Sequence, residues 1–375
     1  MMITEPIGLY VHIPFCKSKC NYCDFVSFAN LQNEYEDKYV DALIDEISEY
    51  SAHEKIPLDT LFFGGGTPSV ISSHSFERIV NAIRKSFNIL PSAEFTIEAN
   101  PKTLTGEKLS LYTSLGVNRI SLGLQSIHEN ELEILGRIHS FEEFLESYSL
   151  CQEHGISNVN VDLMYAIPEQ TVDSFTNTLR KIISISPTHI SAYSLILEEG
   201  TCLYKKKDLL NFPTEDEECE MYYKAADILR DAGYSHYEIS NYALEGYECR
   251  HNLKYWQNKE YIGLGLAAHS YLGKKRYSNP VVFSEYFSAK RKEYRQTESI
   301  DISTNAYEYV MTHLRLAQGF SLLDYERKFG CSFISGRESL LSDLEKSGYL
   351  KCSDGRISLT EKGFYVSNTV ISELI

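Results

Sequence analysis

Apolar, β-rich runs alternate with longer segments of helical periodicity between residues 9 and 195. The predicted strands are residues 9–13, 60–63, 94–100, 119–125, 158–165 and 189–195. The predicted helices between them, in which apolar residues recur at steps of three and four, are residues 34–51, 75–87, 105–115, 130–135, 141–154 and 172–184. Strands that alternate with helices imply parallel pairing and right-handed crossovers. The pattern therefore predicts an α/β fold, which is either an open doubly wound sheet or a barrel.

The rest of the chain follows two other patterns. Residues 201–300 are rich in tyrosine and contain the stretch His251-Asn-Leu-Lys-Tyr-Trp256. Residues 301–375 predict two short helices and a β-hairpin, which is typical of a small winged-helix-like α+β module. The second of these helices, at 336–346, carries three acidic and two basic side chains, so it lacks the basic face that DNA binding needs. We expect three units, at 1–200, 201–300 and 301–375.

Composition restricts the class of protein. The chain has 375 residues, of which 43% are hydrophobic and 23% charged, as in soluble globular proteins. Its formal net charge of −16 argues against a broad nucleic-acid surface, which needs Lys and Arg. The sequence has no apolar run of about 18 residues, and residues 1–6 lack the features of a secretory signal. Nine cysteines, six of them scattered singly, do not predict a disulfide framework. We expect a cytoplasmic protein without a nucleic-acid partner.

Three closely spaced cysteines, Cys16, Cys20 and Cys23, follow the first predicted strand in the pattern C-x3-C-x2-C. Iron–sulfur clusters are held by cysteine thiolates. Three thiolates on a [4Fe–4S] cube leave one iron open, and an open metal position is what chemistry requires. Half of a zinc site is the alternative, but zinc sites usually repeat a cysteine pair, and the next cysteine, Cys151, stands alone. The spacing therefore favours an iron–sulfur cluster.

Polar residues and glycines recur where the predicted strands end. The turn Gly-Gly-Gly-Thr at 64–67 offers backbone N–H groups and a hydroxyl that suit the amino-acid end of a cofactor. Glu98 suits an ammonium group or a ribose, and Gln125 and Asp162 suit ribose hydroxyls. Arg137 suits a carboxylate. Each residue taken singly is an ordinary loop residue, so it is their recurrence at strand ends that indicates a site.

Several motifs together resemble the coproporphyrinogen III oxidase-like branch of the radical S-adenosylmethionine (SAM) proteins. They are the cysteine triad, Tyr10-Val-His-Ile-Pro-Phe-Cys16, Gly64-Gly-Gly-Thr-Pro68, Glu98-Ala-Asn-Pro101, Gly123-Leu-Gln-Ser126 and Asp162-Leu-Met-Tyr-Ala-Ile-Pro-Glu-Gln-Thr171. The resemblance covers nearly the whole chain. It implies a partial (β/α)6 barrel with a [4Fe–4S] cluster on the three cysteines. It also implies SAM contacts at Tyr10, Tyr22, Gly65, Gly66, Thr67, Glu98, Gln125, Arg137 and Asp162.

Two subfamilies of this branch differ in sequence features that can be compared with this chain. The anaerobic oxidases carry a fourth cysteine two places after the third, where this chain has Phe25. They also carry a long segment before the cluster strand, whereas Tyr10 lies near the start of this sequence. The HemW-type haem chaperones lack both features and carry the pattern H-N-x-x-Y-W, which is present here at 251–256. The chain is therefore more similar to the haem chaperones.

The resemblance implies haem as a further ligand. Imidazole is a common axial ligand of haem iron, so His251 is the predicted haem ligand, with Asn252, Tyr255 and Trp256 around the macrocycle. A buried histidine within an aromatic cluster is the simpler alternative. Further candidate ligands are His12, His139, His269 and Cys249.

The resemblance also implies partners. It implies an apo-haemoprotein as the haem acceptor, for example a respiratory enzyme at a membrane surface to which this protein would bind peripherally. A flavodoxin or a ferredoxin is the implied electron donor. Two alternative functions remain at this point: an oxygen-independent coproporphyrinogen III oxidase, which decarboxylates two propionates, and a haem-degrading radical SAM methyltransferase.

Overall fold

The structure, a computed structural model, describes residues 5–51 and 54–375. The prediction about a secretory signal rests largely on residues 1–4, which lie outside the described residues. The first eight strands are β1 (Ile7–Ile13), β2 (Phe15–Cys16), β3 (Phe28–Ala29), β4 (Pro57–Gly65), β5 (Asn88–Ala99), β6 (Arg119–Gln125), β7 (Val159–Tyr165) and β8 (His189–Ser194). The helices among them are α1 (Gln32–Ser48), α2 (Ser73–Ser86), α3 (Gly106–Ser114), α4 (Glu129–Leu135), α5 (Phe141–Glu153) and α6 (Val172–Ile183). Every element predicted between residues 9 and 195 is present, and the ends of all but β6 differ from the prediction by one or more residues.

Six of these strands form one parallel sheet in the order β1-β4-β5-β6-β7-β8. The order follows the chain without the reversal that a doubly wound sheet has at its switch point. The predicted partial (β/α)6 barrel is therefore confirmed, and the open doubly wound sheet is wrong. β2 and β3 pair separately, in the loop that carries the cysteines.

Residues 201–300 extend this sheet at both edges. They form β9 (Ser235–Glu238), β10 (Asn241–Ala243), β11 (Tyr261–Leu264), β12 (His269–Leu272), β13 (Lys275–Ser278) and β14 (Gln296–Ser299), with α7 (Glu215–Asp231), α8 (Arg250–Trp256) and α9 (Phe283–Tyr286). β10 pairs antiparallel with β8, and β9 follows it at that edge. At the other edge β11 lies parallel to β1 and is followed by antiparallel β12, β13 and β14. The strand β11 is absent from the sequence-based prediction.

The strands of the barrel bury two chemically different faces, as β6 shows. Ile120, Leu122 and Leu124 pack into the apolar core between sheet and helices. Arg119 and Gln125 line a cavity on the opposite face, although both side chains are buried. Polar–apolar alternation usually indicates a strand with one wet face. Here the polar face is enclosed, because it surrounds the interior of the barrel.

The last 74 residues complete the predicted winged-helix-like module. It contains α10 (Ile302–His313), α11 (Leu322–Phe329), α12 (Glu338–Lys346), α13 (Glu361–Tyr365) and α14 (Ser367–Leu374), with β15 (Phe320–Ser321), β16 (Leu350–Ser353) and β17 (Arg356–Leu359) paired in the order β15-β17-β16. The hydroxyl of Tyr222 on α7 donates to the carbonyl of Glu361 at 3.2 Å, which joins the module to the barrel side. None of the helices in the described residues is long and apolar enough to span a membrane.

Candidate functional site

A cavity of about 690 Å³ occupies the interior of the barrel. Its upper part, called here the cysteine end, is formed by the cysteine loop and the carboxyl ends of the parallel strands. Its lower part, called here the floor, is formed by the amino-terminal halves of the strands and by α8. The predicted residues that line the cavity are Tyr10, Cys16, Cys20, Tyr22, Cys23, Gly65, Gly66, Thr67, Glu98, Gln125, Arg137, Asp162, His251, Asn252 and Tyr255. One cavity thus brings together the predicted cluster and SAM residues and three of the four predicted haem residues.

The cysteine loop is fixed at both ends by hydrogen bonds. His12 Nε2 lies 2.8 Å from the carbonyl oxygen of Val26, and the N–H of Phe28 donates to the carbonyl of Pro14 at 2.7 Å. In the middle of the loop, Asn21 Nδ2 donates to the carbonyl of Ile134 at the end of α4, at 2.9 Å. These contacts hold a loop without long secondary structure against the barrel.

Arg137 connects this loop to two strand ends. Its Nη1 donates to Cys20 Sγ at 3.3 Å, and its Nη2 donates to Asn100 Oδ1 at 2.6 Å and to the carbonyl of Gly123 at 2.5 Å. Asn100 Nδ2 in turn donates to Thr67 Oγ1 at 2.9 Å, and Thr67 Oγ1 donates to Cys16 Sγ at 3.6 Å. One chain of hydrogen bonds therefore orients two of the three cysteine sulfurs.

The glycine turn at 64–67 serves close packing. A Cβ on Gly65, whose φ is +114°, would lie 2.5 Å from the ring of His12, and a Cβ on Gly66 would lie 3.0 Å from Cys16 Sγ. The N–H groups of Gly65, Gly66 and Thr67 donate to Glu98 Oε2 (3.1 Å) and to the carbonyls of Ile13 and Phe15 (both 2.8 Å). All three N–H groups are thus used within the protein, and the turn holds the cysteine loop close to Glu98. The contact of this turn with SAM stays a prediction.

Glu98 carries the largest resolved pKa shift to higher values among the carboxyl groups of the cavity. Its removal from bulk water and the nearby charge of Asp162 raise its pKa to about 8, against the opposing effects of the Gly65 N–H and Arg119. Asp162, on β7, accepts from Asn160 Nδ2 at 2.6 Å and from Ser121 at 3.2 Å. An ammonium group bound beside Glu98 would offset the cost of ionising it. This suits the predicted contact with the amino group of SAM.

Other cavity atoms are buried without a partner. At the cysteine end these are Gln125 Oε1 and Arg137 Nε. Gln125 also has a left-handed backbone, with φ of +74°, which is uncommon for a residue with a side chain. Tyr10 and Tyr22 complete the wall, and burial raises the pKa of each well above the ordinary tyrosine value. Unpaired buried polar atoms in a cavity indicate a polar ligand.

The three cysteines fit a cluster better than a single metal ion. In the described part of the chain, no three His, Cys, Asp or Glu side chains are arranged to hold one ion. A [4Fe–4S] cube does not need such convergence, because each thiolate binds a different iron. Burial raises the pKa of the Cys16 and Cys23 thiols, and a bound metal reverses this effect because a coordinating thiol is deprotonated. The residues present therefore fit the predicted cluster, which with SAM supplies one-electron chemistry when bound.

The floor is closed by α8, whose position is set by Glu94 on β5. Its carboxylate accepts from the N–H groups of Arg250 and His251 at 2.9 and 3.0 Å, at the amino end of the helix. Lys254 Nζ pairs with Asp59 Oδ1 at 2.7 Å. The motif at 251–256 therefore forms a packed plug at the end of the barrel opposite the cysteines.

His251 has no free ring nitrogen in this plug. Its Nδ1 lies 2.8 Å from Thr60 Oγ1, and its Nε2 lies 2.8 Å from the hydroxyl of Tyr255. Burial and the nearby Lys254 charge lower its pKa to about 3. Trp256 does not line the cavity; the guanidinium of Arg315 lies 5.6 Å from its ring centroid. To bind haem iron as predicted, His251 would have to give up its contact with Thr60 or with Tyr255.

The further haem-ligand candidates lie elsewhere. His12 contacts Tyr10 and Val26 through its two nitrogens. Cys249 is buried and donates to Glu94 Oε1 at 3.6 Å. His139 lines a smaller neighbouring cavity, and His269 is exposed on β12. None of the four side chains lines the large cavity.

Asn100 and Arg119 are among the cavity residues that sequence reasoning missed. Asn100 follows Glu98 by two positions, and this spacing at a strand end was a usable signal for a shared face. Arg119 begins a strand whose alternate residues are apolar, and a charge within a buried strand was the available signal.

The parallel barrel, with three cysteines in C-x3-C-x2-C spacing at its carboxyl end, defines a radical SAM protein. A family model described as the radical SAM superfamily matches residues 10–182, and one described as the HemN C-terminal domain matches residues 303–366. The second match coincides with the winged-helix-like module. Radical SAM proteins carry a [4Fe–4S] cluster and SAM, so the predicted cofactors agree with the class.

The chain belongs to the HemW heme chaperone family, which confirms the family predicted from the sequence. It is 35% identical to heme chaperone HemW of Lactococcus lactis, with alignment over 100% of this chain and 98% of that protein. It is 32% identical to heme chaperone HemW of Escherichia coli, over 99% and 98% of the two chains. The solved structure of coproporphyrinogen III oxidase HemN from E. coli superposes with a TM-score of 0.87 at 21% identity, over 98% of this chain and 90% of that one. At that identity the superposition shows a shared fold.

Proposed function

We propose that this chain is a haem chaperone, which binds haem and transfers it to an apo-haemoprotein. The observation that carries the proposal is the full-length similarity to proteins named heme chaperone HemW, at 31–36% identity. The similarity includes residues 201–300 and the C-terminal module as well as the barrel. The whole architecture, and not only the cofactor site, is therefore shared with haem chaperones.

The mouth of the cavity supports a place for haem. Phe25 and Ile196 are each 70% exposed and both line the cavity beside the cysteine loop. Large apolar side chains that are exposed together usually mark a binding surface. A porphyrin presents a flat apolar face that matches such a rim, whereas His251 at the floor offers no free nitrogen. We therefore place haem at the mouth, between Phe25 and Ile196.

The finer parts of the proposal concern partners. The acceptor would be an apo-haemoprotein, including respiratory enzymes at a membrane surface, where this protein would bind peripherally from the cytoplasm. Reduction of the cluster needs one electron, so the donor would be a carrier of the flavodoxin or ferredoxin type. In this arrangement Cys16, Cys20 and Cys23 hold the cluster, and Glu98 and Arg137 hold the two charged ends of the methionine part of SAM.

A haem titration followed by the Soret band tests the proposal. The wild type should bind haem, and the double variant Phe25→Ser/Ile196→Ser should bind about tenfold more weakly, because apolar contact area is lost. Leu209→Ser is the matched control, since Leu209 is 84% exposed and lies outside the cavity lining. No haem binding by the wild type would refute the chaperone function. Loss of binding in His251→Ala but not in the rim variant would refute the position at the mouth.

The oxidase alternative has the shared fold in its favour and needs a separate assay. Anaerobic incubation with reductant, SAM and coproporphyrinogen III should give no protoporphyrinogen. Substantial product formation by the reconstituted protein would replace the chaperone by the oxidase.

A further inference from the structure

Arg119 is a charged side chain in the floor of the cavity that the proposed function leaves unexplained. It is only 2% exposed and is among the largest fully enclosed side chains of the described residues. It also lines the cavity. Along β6 it lies six residues before Gln125, a separation of about 20 Å at the rise of a strand. Its backbone therefore lies well below the cysteine end, while its guanidinium is close enough to Glu98 to oppose the rise in the pKa of that carboxyl group.

This guanidinium has no hydrogen-bond or ion-pair partner among the described residues. Its Nε is completely enclosed and unpaired. The groups whose charge it senses are Cys249, Glu94, Tyr237 and Asp162, and all act through space rather than through a hydrogen bond. Buried arginines are otherwise paired, because an isolated buried charge is costly.

The nearby carboxylates are already occupied. Glu94 accepts from the N–H groups of Arg250 and His251. Asp162 accepts from Asn160 and Ser121. Neither carboxylate therefore depends on Arg119 for its hydrogen bonds.

His189, which also lines the floor, is a neutral side chain whose two ring nitrogens both have partners. His189 Nδ1 lies 2.5 Å from Asn160 Oδ1, and its Nε2 lies 2.8 Å from the hydroxyl of Tyr237. That hydroxyl also accepts from the N–H of Cys249 at 3.1 Å, so it donates to Nε2 and leaves His189 neutral. The opposite wall of the cavity holds another unpaired atom, Asn241 Oδ1. The guanidinium of Arg119 thus lacks a hydrogen-bond partner in the described part of the chain, although the charges of Glu94 and Asp162 lie close enough to raise its pKa.

We propose that Arg119 forms an anion subsite that binds a carboxylate group of a ligand in the barrel cavity. A guanidinium stays charged at any pH that the protein survives and offers a planar pair of N–H donors that matches a carboxylate. Two sources fit this chemistry: a propionate arm of haem that extends from the mouth into the cavity, and the carboxylate of SAM, which Arg119 would share with Arg137. The haem source rests on the proposed function, whereas the subsite itself rests on the geometry of Arg119.

Thermal unfolding of cluster-reconstituted protein without haem or SAM gives the first test. Arg119→Met should unfold at a temperature close to that of the wild type, because it breaks no hydrogen bond and fills the same space. Arg180→Met, at an exposed arginine on α6, is the matched control and should leave the temperature unchanged. A clear fall in the unfolding temperature of Arg119→Met would show a structural role and overturn the proposal.

Ligand binding gives the second test. The wild type should bind haem about tenfold more tightly than haem dimethyl ester, and Arg119→Met should bind both with the affinity of the ester. This outcome identifies propionate as the source. A tenfold loss of SAM affinity in Arg119→Met, with unchanged discrimination between haem and its ester, identifies the SAM carboxylate instead.

A charge-preserving variant and a defined negative outcome complete the design. Arg119→Lys keeps the charge without the planar pair of donors, so it should retain part of the discrimination. Haem, ester and SAM affinities within twofold of wild type in Arg119→Met would overturn the subsite. Absence of haem binding by the wild type would refute the proposed function alone, because the SAM measurement and the unfolding temperature still test Arg119.

Discussion

The two arginines of the cavity show how its two ends differ. Arg137, at the cysteine end, donates to Cys20, Asn100 and the carbonyl of Gly123. Arg119, at the floor, donates to none of the described groups. A guanidinium with three partners holds the protein together, whereas a buried guanidinium without a partner is ready for a ligand. The fold therefore fixes the position of the Arg137 guanidinium through three hydrogen bonds, whereas the Arg119 guanidinium has none with the described residues.

Two glutamates on one strand also differ in their hydrogen bonds, but here the residue near the floor has more partners than the residue at the cysteine end. Glu94 and Glu98 lie four residues apart on the inner face of β5. Glu94, near the floor, accepts two N–H groups of α8 and fixes that helix. Glu98, at the cysteine end, accepts one N–H group, and its pKa is raised to about 8. At each end, one charged residue is satisfied by the fold and the other is left for a ligand.

The largest expected effect is the loss of the iron–sulfur cluster at the cysteine end. Cys16→Ser, Cys20→Ser and Cys23→Ser should each abolish the brown chromophore after anaerobic reconstitution, because three thiolates hold the cluster. Iron analysis and absorbance spectra measure this loss. Cys202→Ser, at an exposed cysteine, is the control and should retain full iron content. About four irons per chain in all three triad variants would contradict the assignment.

The second effect compares the arginines directly. Arg137→Met should lower the free energy of unfolding by about 3 kcal/mol, because it leaves Asn100 Oδ1 and the carbonyl of Gly123 without their donor. Urea denaturation measures the change. Arg119→Met serves as the comparison and should not be destabilised. A similar loss of stability in both variants would mean that Arg119 stabilises the fold as much as Arg137 does.

The third effect is a pH dependence of stability that is caused by Glu98 at the cysteine end. The folded protein holds a proton on Glu98 up to a pKa of about 8, while the exposed group releases it near 4.5. The folded protein therefore binds this proton more tightly than the unfolded chain does. Its free energy of unfolding falls as the pH rises through this window. In ligand-free protein, Glu98→Gln should be more stable than the wild type by about 2 kcal/mol at pH 8.5, and equal to it at pH 5.

Urea denaturation at both pH values provides the measurement for Glu98. The charged groups that face its carboxyl are Asp162 and Arg119, and both remain in the variant. Glu373→Gln, at an exposed glutamate, should differ from the wild type equally at the two pH values. A Glu98→Gln difference that does not change with pH would show that Glu98 is ionised in the folded protein at both values.

The smallest effect tests the plug in the floor. Thr60→Val should lower the free energy of unfolding by about 1 kcal/mol, because His251 Nδ1 loses its partner. Thr60→Ser keeps the hydroxyl and should stay close to the wild type. Cluster content and SAM affinity should be unchanged in both variants. A loss of cluster in Thr60→Val would mean that the two ends are coupled.

The sequence predicted the parts of the molecule that depend on local periodicity. The predicted boundaries of β6 were correct. Polar residues, Arg119 and Gln125, mark its two ends, and the apolar residues between them alternate with small or polar ones. The cysteine loop was also found, because the spacing of its three thiolates is read within one short segment. The cavity residues at strand ends were found because strand C-termini meet at one edge of a parallel barrel.

The parts that failed depend on contacts between distant residues. β11 was missed because it is only four residues long and its parallel partner, β1, lies about 250 positions earlier. The packing of the stretch at 251–256 could not be predicted from the motif alone. Its actual neighbours, Thr60 and Glu94, come from two strands of the barrel and leave no sign within the motif itself.

The pairing of β11 with β1 has a consequence for synthesis of the chain. A nascent polypeptide that has reached residue 200 contains all six strands of the barrel, but one edge of β1 still lacks its neighbour. Unpaired strand edges invite association between chains. The ribosome must deliver a further 64 residues before Tyr261–Leu264 can cover that edge. Ribosome-bound intermediates and C-terminal truncations of this protein should therefore be the species that most need a folding helper.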